Sequence, residues 1–125
     1  MHQAINPPGF PPNPAYSQGM LTTGTRTLYV SGQVGIGPDG KSGDGIAAQA
    51  QAAIANMGAV LATAGMGPTD IVKLTIYLTD ASLIAGFIEA ASGALTSPPP
   101  ATTLLVVKAL AMPELLIEVE CVAVQ

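Results

Sequence analysis

The stretch Gly45 to Asp80, GIAAQAQAAIANMGAVLATAGMGPTDIVKLTIYLTD, changes its hydrophobic period partway, and that change decides the fold class. Ile46, Ala50, Ala53, Ile54, Met57, Val60, Leu61 and Ala64 recur at spacings of three and four, which makes one apolar face of a helix. Asp44 stands where an N-cap belongs, and Gly65 with Pro68 closes the helix. The period then drops to two. Val72, Leu74, Ile76 and Leu78 alternate with Lys73, Thr75, Tyr77 and Thr79, the pattern of a strand. A helix running into a strand predicts mixed α and β structure.

The same reading extends outward. On the C-terminal side, Asp80 can cap a second helix reaching about Leu95, with Leu83, Phe87, Ala91 and Ala94 on its buried stripe. Pro98, Pro99 and Pro100 end it. Thr103 to Leu110 is almost continuously apolar, as in a strand covered on both faces. After the turn Met112-Pro113-Glu114, Leu115 to Val124 alternates, with Glu118 and Glu120 on one face and Cys121 on the other. On the N-terminal side, Thr27 to Val34 also alternates, and Gly32 interrupts it as a bulge or a close backbone approach would. Pro7, Pro8, Pro11, Pro12 and Pro14 predict an extended, polyproline-like arm over residues 1–15, with His2 in a mobile end. The chain shows no repeat and no linker, so residues 1–125 read as a single α+β domain: a mixed sheet with two helices on one face.

Composition narrows the function. The 125 residues are 49% hydrophobic and 10% charged, against roughly 25% charged in an average domain. Few charges remain to solvate the surface, and no third helix is available to cover the second sheet face. A neighbouring subunit is the expected cover. A net charge of −4 and a pI near 4.5 argue against nucleic acid as a partner, which would call for a basic stripe. Gln49, Gln51, Asn56 and Lys108 interrupt the most apolar runs, so no membrane span is expected. Met1 to Asn6 lacks a signal-peptide pattern, and the single cysteine excludes an intramolecular disulfide, so the expected location is cytoplasmic. One histidine and one cysteine at opposite ends make neither a metal site nor a nucleophile–histidine pair.

Five segments taken together carry a resemblance. They are Ala15-Tyr16-Ser17-Gln18-Gly19, Leu28-Tyr29-Val30-Ser31-Gly32-Gln33, Ile71 to Asp80, Pro100-Ala101-Thr102-Thr103 and Ile117 to Ala123. In this order and spacing the chain resembles the YjgF/RidA family of reactive-intermediate (enamine/imine) deaminases, from about Tyr16 to Val124. The resemblance implies a chorismate-mutase-like protomer, a homotrimer with ligand clefts between subunits, and hydrolysis of small imines without metal or organic cofactor. It places Tyr16, Gly32 and Glu120 at cleft positions. Thr102 stands where the family carries an arginine that would hold the substrate carboxylate. Ile88 stands at a position often asparagine, and Leu104 at one often cysteine.

The residues suggest a division of labour. Glu120 is the candidate catalytic group, since a carboxylate can position or deprotonate a water for attack on C=N or C=O. Its structural alternative is a solvated strand face. Tyr16, Gly32, Ile88, Thr102, Thr103 and Leu104 are the candidate substrate-binding residues. Thr102 and Thr103 offer neutral hydroxyls, although β-branched residues at a strand start need no such role. No other cation is expected to replace the arginine. Lys108 shares the parity of Thr102 but lies ~20 Å along the strand, and Arg26 reads as a solvated turn. The expectation is therefore an altered substrate, with turnover of 2-iminopropionate weak or absent. The alternative is a catalytically silent homotrimer that binds a metabolite or a protein.

Overall fold

The computed structural model describes residues 1–125. Six strands form in chain order: β1 (His2–Ile5), β2 (Gly19–Thr22), β3 (Thr27–Val34), β4 (Ile71–Leu78), β5 (Ala101–Val106) and β6 (Ile117–Val124). Helix α1 spans Gly45–Thr63 and α2 spans Ile84–Ala91. Strands β3, β6, β4 and β5 make one four-stranded sheet in that spatial order. Only β4 and β5 run parallel, and the intervening α2 supplies the crossover that a parallel pair requires. The α+β reading of the sequence holds.

Both helices cover the same sheet face. Ala50, Ala53, Met57 and Leu61 of α1 and Phe87 of α2 are buried there with Val30, Ile76, Val119 and Cys121 of the sheet. Helix α1 has 19 residues at a mean hydropathy of 1.2, so by length and composition it passes as a membrane span, contrary to the sequence expectation. Its apolar stripe is accounted for by this core. Gln49, read from sequence only as a polar interruption, is 2% exposed. Its amide donates to the carbonyls of Gly43 (3.1 Å) and Glu114 (2.9 Å) and accepts from the Leu116 amide (2.8 Å), tying two loops to the helix.

Four local expectations change. Asp44 occupies the N-cap of α1 but makes no side-chain cap bond, whereas Asp80 accepts from the Ser82 amide at 2.8 Å. The second helix ends at Ala91 and tightens into a 3-10 turn over Ser92–Ala94, short of Leu95. Gly93 lies there, and the Ser92 hydroxyl bonds back to the Glu89 carbonyl, both unfavourable to a helix interior. The proline-rich arm is anchored: β1 pairs antiparallel with β2, and His2 Nδ1 lies 2.6 Å from Thr22 Oγ1. The prolines begin only at position 7, so the amides of His2–Ile5 remain free to pair. Finally, β5 is an edge strand rather than one covered on both faces, and Leu105 and Val106 are 46% and 49% exposed.

Candidate functional site

Strand register sorts the candidate residues. Thr102 pairs with Leu74, which pairs with Cys121; Thr103 pairs with Thr75, which pairs with Glu120. Side chains alternate across a strand, so Thr102 faces the helices and Thr103 and Glu120 face the open side. Tyr16, Ile88, Thr102 and Leu104 gather on the helix side, and Gly32, Thr103 and Glu120 belong to the open side.

On the helix side lies a cavity of about 480 Å³. Leu74 and Leu104 form its floor, Met57 and Phe87 its walls, and Tyr16 and Ile88 its rim. No Lys, Arg, Asp, Glu or His lines it. The Thr102 hydroxyl donates to the Pro100 carbonyl at 3.1 Å, so its own hydrogen is used locally. Tyr16 is held over the cavity by its neighbour Ser17, which is buried. The Ser17 hydroxyl donates to the Pro99 carbonyl at 2.6 Å and its amide to the Pro100 carbonyl at 3.1 Å.

The open side is polar. The Tyr77 hydroxyl donates to the Glu120 carboxylate. That bond raises the Tyr77 pKa above its ordinary value, with desolvation and the charges of Glu120 and Glu118 adding to it. The hydroxyl therefore stays a donor at neutral pH. A Cβ on Gly32 would stand 2.5 Å from Glu118 Oε2. The bulge in β3 between Val30 and Gln33 thus serves the close approach of the Glu118 carboxylate. Lys73 Nζ donates to Thr103 Oγ1 at 2.7 Å. A cation is therefore present on this face, on the opposite side of the sheet from Thr102. Arg26 does more than bound a turn: its Nη2 donates to the Ala64 carbonyl at the end of α1 at 2.5 Å, and its Nη1 to the Gln125 side chain.

Cys121 is 4% exposed, and burial pushes its thiol pKa up to about 11, so it is no nucleophile at neutral pH. No three His, Cys, Asp or Glu side chains converge anywhere in the chain. Sequence reasoning missed Lys73 and Tyr77 as members of the site. Their parity on β4 was legible, but the β4–β6 register that sets them beside Glu120 was not.

Comparison with known proteins bears on this arrangement. Residues 9–125 match the family model described as endoribonuclease L-PSP. The conserved Rid-family protein YyfB of Yersinia pestis superposes with a TM-score of 0.88 at 32% identity, over 99% of this chain and 98% of that one. RidA of an Antarctic Psychrobacter superposes with a TM-score of 0.76 at 31% identity, over 98% of this chain and 99% of that one. The rat 2-iminobutanoate/2-iminopropanoate deaminase is 44% identical over 70 residues, which are 53% of this chain and 48% of the relative. The match thus spans about half the length of that curated relative.

Proposed function

The chain belongs to the YjgF/RidA (endoribonuclease L-PSP) family, and on that premise we propose a cytoplasmic hydrolase that needs no cofactor. It adds water to an imine, enamine or activated carbonyl. Glu120 orients the water and takes its proton as oxygen bonds to the C=N carbon. Glu120 passes that proton to nitrogen, the new hydroxyl gives up its own proton to the departing nitrogen as the C–N bond breaks, and ammonia or an amine leaves as the carbonyl forms. Tyr77 holds the Glu120 carboxylate in place.

The site is completed by a second copy of the chain, in a homotrimer. Thr102 and Glu120 lie on opposite faces of one sheet, so one protomer cannot bring both to one small ligand. The uncovered open face, where Tyr29 is 77% exposed, supplies the surface for that contact. Sedimentation of a clean 12.5 kDa species at micromolar concentration would refute the assembly.

The uncharged lining of the large cavity carries the specificity. Losing a buried charge partner costs about 2–5 kcal/mol, or about 30- to several-thousand-fold in affinity. A carboxylate is not held at Thr102, and the group that enters there is apolar. Imines with bulky apolar substituents should outpace 2-iminopropionate, and Glu120→Gln should abolish hydrolysis of both, read as ammonia release. Unchanged turnover in that variant would remove Glu120 from the mechanism. The same lining, with Ile88 and Leu104 facing the cavity, favours the second reading: a silent trimer that binds an apolar metabolite or a protein. That reading requires no turnover of any imine in the panel. The low pI of about 4.5 favours neither RNA binding nor RNA cleavage.

A further inference from the structure

Helix α1 carries a glycine that its own packing does not explain. Gly58 lies inside the helix, next to the buried Met57, and lines the large cavity. Glycine is the poorest helix former after proline, so a glycine within a helix calls for a reason. At Gly86 of α2 the reason is steric, because a Cβ there would stand 2.8 Å from Ile46 Cγ2. At Gly58 no neighbour asks for it: an added Cβ would meet nothing within 4 Å. What the missing side chain leaves is room in the cavity.

The polar groups of that cavity have one character. The hydroxyls of Ser92, Thr96 and Thr102 donate to backbone carbonyls at 2.9, 3.2 and 3.1 Å, so toward a ligand they act as acceptors. No charged side chain lines the space, so an ionised group carried inward would lose water and gain no counter-charge. The volume of about 480 Å³ is roughly three times that of an apolar void that takes one benzene, about 150 Å³. Two fused rings fit. Met57 and Phe87 in the walls offer a ring a sulfur contact and an aromatic contact.

We propose that the cavity over Gly58 binds an uncharged two-ring aromatic ligand whose N–H or O–H group donates to Thr102 Oγ1. Gly58 is the residue that sets this specificity, because the rings occupy the space its side chain would take. The inference rests on the reading of the uncharged cavity as the specificity pocket, names the ligand class for it, and requires no turnover.

The test is calorimetric binding to the intact protein of two probes of one shape, indole-2-carboxamide and indole-2-carboxylate. Their second polar group sits beside the ring N–H and enters with it. The carboxamide should bind at least about 30-fold more tightly, since the carboxylate would be buried without a partner. Indole should bind about 2- to 10-fold more tightly than benzothiophene, which has its shape but no N–H, and Thr102→Val should erase that margin. Gly58→Leu fills the space and should lose about 10-fold or more in carboxamide affinity, while Gly58→Ala should raise Tm by about 1–4 °C. Equal binding of carboxamide and carboxylate, no binding of either at millimolar concentration, or full carboxamide affinity in Gly58→Leu would each overturn the inference. The wild-type comparison decides even if a variant misfolds. Carboxamide binding without turnover of any imine would leave this site standing and defeat the hydrolase reading, and imine turnover with no probe bound would do the reverse.

Discussion

Placing a cation back at position 102 is the sharpest perturbation of this chain. In Thr102→Arg, the side chain enters a cavity of about 480 Å³ whose lining includes no charged residue. The substitution removes one neutral hydrogen bond, from the threonine hydroxyl to the Pro100 carbonyl at 3.1 Å, worth about 0.5–1.5 kcal/mol. It adds a guanidinium that finds no acidic partner in the lining, which costs stability in the empty protein. A carboxylate ligand supplies the missing partner by two charge-assisted hydrogen bonds. The differential of about 2–5 kcal/mol translates to a rise of about 30- to several-thousand-fold in kcat/KM for 2-iminopropionate. The assay generates 2-aminoacrylate in situ and follows ammonia release, with wild type and variant side by side. Thermal melting adds a second readout: pyruvate should raise the variant's Tm more than the wild type's, because ligand binds only the folded state. A folded Thr102→Arg protein that gains less than about threefold in kcat/KM, well under one kcal/mol, would refute the reasoning. So would a wild type already as fast as an arginine-bearing relative.

Gly32→Ala puts a Cβ 2.5 Å from Glu118 Oε2 and 3.0 Å from its Cγ, so the carboxylate must swing aside. The displaced group is the free end of a flexible, half-buried side chain, so a loss of under about 1 kcal/mol in urea unfolding is expected, and Glu118→Ala should rescue most of it in a double-mutant cycle. Gln49→Leu orphans the carbonyls of Gly43 and Glu114 and the amide of Leu116, so it should cost about 3 kcal/mol or more in the same measurement. The Cys121 thiol has an ordinary value of 9.0 and is raised to about 11 by burial. A folded-state pKa above the unfolded one gives stability that is full below pH 9 and lost as pH rises toward 11. The loss should reach at most about 2–3 kcal/mol at pH 11 from this thiol. Cys121→Ala should flatten that limb, and an equal slope in both proteins would contradict the assignment. Alkylation of the native thiol at pH 7 should accordingly be slow.

Much of the fold was legible because its signals are local. The three-and-four spacing through Ala50, Ala53, Met57 and Leu61 and the alternation from Ile117 to Val124 each follow from the geometry of one element. Glycine at 32 marked a close approach, although only the sheet shows that the approaching group is Glu118. Signals that depend on neighbours were misleading. The apolar run of β5 reads as buried on both sides, yet the strand lies at an edge of the protomer. The prolines read as a free arm, yet the residues before them pair with β2. Gln49 read only as a polar interruption because nothing local announces that three backbone groups from two loops converge on it.

The sequence by itself determined that this chain folds as α+β, that its acid at 120 and thiol at 121 point to opposite sides of a strand, and that no arginine occupies position 102. Each of these follows from residue identity and a fixed period of side-chain direction. Only the tertiary structure decided that Thr102 and Glu120 face opposite sides of the sheet, that Tyr77 donates to Glu120, and that Lys73 shares the open face with that carboxylate. Those relations depend on which strands are neighbours and in what register. Register is fixed by the packing of the helices on one face, and no single strand contains it.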